Sequence, residues 1–236
     1  MSVFVSVGIV VLAMLIMVFL QLSSGVFALF CHYASGRFSR KKASRLGIFF
    51  ILGVETIAAC LFLCCYYFSY ILFFGNTRPE TGIFAWIAVG VLVALAVVCC
   101  FFYYRKGSGS RLFVPRKVTY SLDRHAKEVK TRSDAFTLGA LSGTYELPFT
   151  LPLYFITAVE IMEMSAEYFS SSLLTVFYIL APTVPLLIVR WTFHVHHNLA
   201  EIARARVRDK GFVRFILTFS YITVAVLIIC FRIRMA

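Results

Sequence analysis

The sequence predicts an all-α membrane protein with six transmembrane helices, arranged as two inverted three-helix repeats with both termini outside. Three observations predict it: six apolar segments of bilayer-crossing length, basic residues confined to alternate loops, and helix interruptions that recur at corresponding places in two halves. The chain has 236 residues and is 61% hydrophobic, with a mean hydropathy of +0.87. Soluble domains are only about half apolar, so this composition excludes one.

The apolar segments cover residues 3–35, 47–75, 83–104, 134–159, 171–193 and 212–231, and each reaches the ~20 residues needed to cross a hydrocarbon core. The first begins almost at Met1, with no basic leader and no small-residue cleavage site, and is expected to be a retained span rather than a signal peptide. Residues 1–104 then form the first repeat, 105–133 a cytoplasmic basic linker, and 134–236 the second repeat.

A net charge of +12 would suit nucleic acid if it were clustered on a soluble surface. Here its distribution follows topology instead. Of 23 Lys and Arg, five fall in 36–46, nine in 105–133 and six between Arg190 and Arg214. Arg78, Arg232 and Arg234 fall on the other side, with Glu160, Glu163 and Glu167. The positive-inside rule puts the three basic loops in the cytoplasm, where they contact anionic lipids. No nucleic-acid partner is expected. The seven cysteines all fall in apolar segments without a CxxC or zinc spacing and are expected to pack as small apolar residues.

The two halves share one plan. FLQLSSGVFALFCHY (19–33) and LGALSGTYELPFTLPLYF (138–155) place small, polar or proline residues near the middle of the first span of each half. Three spans per half force the second half upside down, and interrupted helices at matching positions of inverted repeats mark a midplane site. Pro148 and Pro152 remove helix hydrogen bonds, so an interruption is expected there, with Glu146 near the freed carbonyls.

The order of these features resembles the transmembrane region of the CcdA/DsbD family, within the superfamily that includes LysE-type exporters. The resemblance runs through LSSGVFA (22–28), SRKKASRLGIFFILGVE (39–55), LGALSG (138–143) with PFTLP (148–152), and FYILAPTVPLLIVRWTF (177–193). It implies a six-helix fold around two interrupted helices. The family exchanges electrons through one cysteine on each of those helices, but Gly25 and Phe149 stand at those positions here. Without a thiolate there is no nucleophile for disulfide exchange, so the fold carries over and the redox chemistry does not.

Intramembrane carboxylates are a functional-site hypothesis by default. Glu55 lies in the second segment and Glu146 in the fourth; either could exchange a proton or hold a cation, with His32 as a partner and Gln21, Ser23 and Ser24 as further oxygens. His194 and His197 in FHVHHNL (193–199) share a helix face, but lack a neighbouring carboxylate or cysteine until Glu201, so no metal is expected. Glu160, Glu163 and Glu167 read as one solvated acidic face outside the membrane, open to an external protein contact. Within the linker, YYRKGSGSR (103–111) is flexible by composition, and SLDRHAKEVKTRS (121–133) reads as a short surface helix.

No glycine-rich phosphate loop, Ser/His/Asp arrangement or paired catalytic carboxylates occurs, so neither an enzyme nor a cofactor is expected. The expected function is movement of a small solute or ion by alternating access around helices 1 and 4, in the cytoplasmic (inner) membrane of a bacterium. Glu146, Glu55, Gln21, Pro148, Pro152, Gly25 and His32 are the transport or coupling residues. Two other classes stay open: a non-transporting scaffold that binds a partner, and thiol or electron transfer by cysteines such as Cys31, Cys64 and Cys65.

Overall fold

The computed structural model describes residues 3–20, 22–74, 81–103, 116–164, 168–196 and 210–230. Among these every regular element is helical. Helix α1 (Val3–Leu20) is followed by α2 (Leu22–Arg37), α3 (Arg40–Phe74) and α4 (Thr81–Val98), which ends in a π-helical turn over Cys99–Tyr103. Then come α5 (Arg116–Glu128), α6 (Arg132–Glu163), α7 (Tyr168–Leu180), α8 (Thr183–His196) and α9 (Lys210–Ile228).

Among the described residues three stretches are long and apolar enough to cross a membrane: Phe4–Arg37, Lys41–Leu72 and Phe84–Phe101. A fourth is the α7–α8 pair, bent by 44°. The apolar part of α9, Arg214–Ile228, is shorter. Helix α6 has 32 residues, about 48 Å at 1.5 Å per residue, so its length suffices; its Ser, Thr, Tyr, Glu and Pro content dilutes its hydropathy. Its position explains that content. It touches α1, α2, α3, α4, α5 and α7, so protein rather than lipid surrounds most of it.

The tightest contact is between α3 and α6. A Cβ on Gly53 would run into the Phe136 carbonyl, and one on Gly139 into the Phe50 carbonyl. Gly139 and Gly143 are four residues apart, the small-xxx-small spacing that lets membrane helices meet backbone to backbone. Phe50 faces Gly139, Ile57 faces Gly143, and the Phe62 and Tyr154 rings are 6.5 Å apart. Both numbers rise together, so the two helices run parallel.

Their parallel starts bring the basic segments to one end of the bundle. There the Arg132 guanidinium lies over the Phe49 ring at 5.5 Å, and Arg190 Nη2 of α8 donates to Ser44 Oγ at 3.3 Å. Tyr33 of α2 donates to Asp123 of α5 at 2.7 Å, and Arg37 donates to the Lys127 carbonyl. Lys127 Nζ sits 2.6 Å from Asp123, whose carboxylate accepts its hydrogen bond and holds the ammonium above its ordinary pKa. Helix α5 buries Leu122 and Ala126 and exposes Arg124, His125, Lys127 and Glu128. This is the helix read from 121–133, shifted toward the N-terminus, because Thr131 and Asp134 close a capping box that starts α6 at Arg132.

One expectation about interruptions needs correction. Helix α6 is continuous through Pro148 and Pro152, although these withdraw the helical N–H donors of the Thr144 and Pro148 carbonyls. Tyr221 of α9 donates to the Phe149 carbonyl at 3.2 Å, three residues before Pro152. Thr150 Oγ1 donates to the Glu146 carbonyl at 3.2 Å. The pronounced bend lies in the fifth segment instead, at Ala181–Pro182, where proline disfavours a helical residue before it. Thr183 Oγ1 caps that step by donating to the Leu180 carbonyl at 2.7 Å.

Candidate functional site

Helix α6 carries a polar stripe on its inward face. Ser142, Glu146, Thr150, Thr157 and Glu160 are all buried, and their spacings of four, four, seven and three residues keep them on one side of a 3.6-residue helix. Glu146 is 6% exposed and Glu160 3%. The expectation that Glu160 belongs to a solvated acidic face is therefore overturned: it shares the stripe, while Glu163, three residues on, is exposed. Glu167 lies outside the described residues.

Helix α3 presents a facing row. Ala58, Phe62, Cys65 and Ser69 are buried, and Glu55 stands three residues before Ala58 on the same side. Glu55 is half-buried as a residue, yet both carboxylate oxygens are enclosed without a hydrogen-bond partner among the described residues. The register of α3 on α6 puts Glu55 about one turn short of Glu146 along the axis, roughly 5 Å. Tyr154 is within electrostatic reach of both carboxylates and of Cys65.

An aromatic wall closes this region. The Phe62, Tyr154 and Tyr178 rings are mutual neighbours, with Tyr154 and Tyr178 5.8 Å apart and edge-on, and Phe62 and Tyr178 5.4 Å apart. The Ser142 hydroxyl is buried without a hydrogen-bond partner among the described residues, and the buried Thr157 and Tyr178 hydroxyls neighbour each other. Buried polar groups are normally paired, so the enclosed Glu55 carboxylate and Ser142 hydroxyl mark the polar region between α3 and α6.

The remaining site expectations divide. Pro148 is exposed and Pro152 half-buried, so the prolines shape α6 from its outer side and leave Glu146 facing in. Gly25 is half-buried within α2. His32 is exposed and neighbours the Tyr33 ring at the basic end, so it does not meet either carboxylate: the helix turn points it outward while Cys31 faces in. Gln21 lies outside the described residues, as do the side chains of Ser23, Ser24, His194 and His197. Among the described residues no group of three or more His, Cys, Asp or Glu is placed to hold a metal. All seven cysteines are free, with Cys31, Cys65 and Cys99 buried. The polar stripe was legible as a helical period of hydroxyl and carboxyl residues; the missed signal was that Glu160 continues it.

Among the described residues the chain is helical, with three to four apolar stretches long enough to span a membrane and a buried polar stripe on α6. No protein-family model matches the chain, and neither a curated protein nor a solved structure matches it.

Proposed function

We propose that this chain is a multi-pass, transporter-like protein of a bacterial cytoplasmic (inner) membrane that moves a small solute or ion by alternating access. Its six spans form two inverted three-helix repeats of the CcdA/DsbD and LysE type. Glu146 and Glu55 are the coupling groups, and the path runs beside α6, between α3 and α7. The carrying observation is Glu55: a carboxylate with both oxygens buried and unpartnered, within a turn of a second buried carboxylate, is costly in a membrane bundle and marks ion or proton pathways.

The packing supports the repeat. With α1–α2, α3 and α4 taken as spans one to three, and α6, α7–α8 and α9 as four to six, the contacting spans are 1–4, 2–4, 1–5, 1–6, 3–4, 3–6, 2–5, 1–2 and 4–5. Exchanging one for four, two for five and three for six returns the same set, as an inverted repeat requires. The basic residues at one end support a cytoplasmic orientation for that end.

Proteoliposomes with an internal pH dye test the reading against a panel of cations and amino acids. Wild-type flux that disappears in both Glu146→Gln and Glu55→Gln is the expected result. Flux unchanged in both variants, or none from folded wild type, counts against it and for the scaffold. A Cys31→Ser/Cys64→Ser/Cys65→Ser variant keeps its flux on this reading; loss there points to thiol transfer.

A further inference from the structure

At the basic end an open cleft of about 390 Å³ lies between the starts of α3 and α6. Lys41, Lys42, Arg45, Lys130, Thr131 and Arg132 line it, and none of its lining residues is acidic. Two cations are held in place from below: Lys42 over the Phe38 ring at 4.1 Å and Arg132 over the Phe49 ring. Five like charges around one small cleft repel one another, and a multivalent anion relieves that repulsion. Asp134, the nearest acid on α6, lies outside the lining, its carboxylate accepting the backbone N–H groups of Lys130 and Thr131 at 3.0 and 2.8 Å; its single charge offsets part of that of Lys130 and leaves the five-cation cleft positive.

We infer that this cleft is a binding site for a phosphate group, supplied by the headgroup of an anionic membrane lipid. Lysine supplies point charges for phosphate, and arginine adds bidentate hydrogen bonds. The surroundings favour the lipid source. One to two turns beyond the cleft, Ile48 and Leu52 of α3 are 39% and 47% exposed, and Phe136 of α6 is 36% exposed, an apolar surface along which acyl chains run. A free phosphate ester offers the same headgroup chemistry without that second contact. The inference does not depend on the transport reading.

Native mass spectrometry of the purified full chain, with phosphatidylglycerol, phosphatidylcholine or inorganic phosphate, tests it. The expected result is one phosphatidylglycerol retained per chain in preference to phosphatidylcholine. Lys41→Gln/Lys130→Gln weakens that binding about 25-fold, at about fivefold per cation. Arg124→Gln/Lys127→Gln removes the same charge from exposed positions on α5 and leaves binding within about threefold. Displacement by millimolar inorganic phosphate assigns the cleft to a soluble phosphate; its failure to displace assigns the lipid. Equal retention of both lipids, equal loss in both double variants, or no retention at all overturns the site. Should the first variant not fold, the wild type alone decides: phosphatidylglycerol, and not phosphatidylcholine, raises its unfolding temperature.

Discussion

Tyr221 of α9 donates its hydroxyl hydrogen to the carbonyl of Phe149 in α6, at 3.2 Å and fully inside the bundle. The carbonyl lies one residue after Pro148, whose own carbonyl loses its helical N–H donor at Pro152, and α9 adds a bond at this turn. Interhelical bonds of this kind let proline stand within a continuous membrane helix.

Tyr221→Phe removes that donor and leaves the carbonyl buried. We expect a loss of about 1 kcal/mol, the usual net worth of one intramolecular hydrogen bond, read as a lower midpoint in thermal or SDS unfolding. An unchanged midpoint would show that Pro152 is accommodated without α9.

The α3–α6 contact predicts a graded series. Gly139→Leu and Gly53→Leu drive side chains into the opposing backbone, which cannot yield as a side-chain end can, and should abolish recovery of monodisperse protein. At Gly143 the added Cβ would meet Ile57 Cβ and Cγ2 at 3.4 Å, ordinary contact, so Gly143→Ala should be recovered at wild-type yield. Size-exclusion profiles of the three variants make the comparison.

Glu55→Leu separates structure from function. It replaces an unpartnered carboxyl by apolar volume, so the folded state should gain on the order of 1 kcal/mol, as functional sites often cost stability. Flux should be lost in the same variant. A carboxyl with a structural role would instead lose stability in the unfolding assay.

The capping box of α6 carries a pH signature. Hydrogen bonds from the backbone of Lys130, then from the backbone and side chain of Thr131, hold the Asp134 carboxyl below its ordinary value of 3.8. A lowered carboxyl stabilises the fold fully above the unfolded value and loses that contribution as pH falls through the folded one. Unfolding of wild type and Asp134→Asn should therefore differ at neutral pH and converge below about 3.8. Thr131→Ala should cost about 1 kcal/mol.

Glu146 and Glu55 were conspicuous in the sequence because carboxylates are rare in apolar segments. The direction each faces was not. Glu160 has acidic neighbours at 163 and 167 and reads locally as part of a charged face, yet its helical phase matches Ser142, Glu146 and Thr150. His32 reads as a partner by segment, but α2 turns it outward at the far end of the bundle.

Composition and charge spacing by themselves determined that the chain is helical and apolar enough for a membrane, and which loops are basic, because hydropathy and charge are properties of segments. Only the tertiary structure decided that α6 is central and continuous through its prolines, that the bend falls at Ala181–Pro182, and that Glu55 of α3 and Glu146 of α6 lie about one turn apart along the axis. Those outcomes depend on groups distant in the chain: Tyr221 serving Phe149, and Gly53 admitting α6 against α3. Local sequence carries no record of which helix will stand opposite.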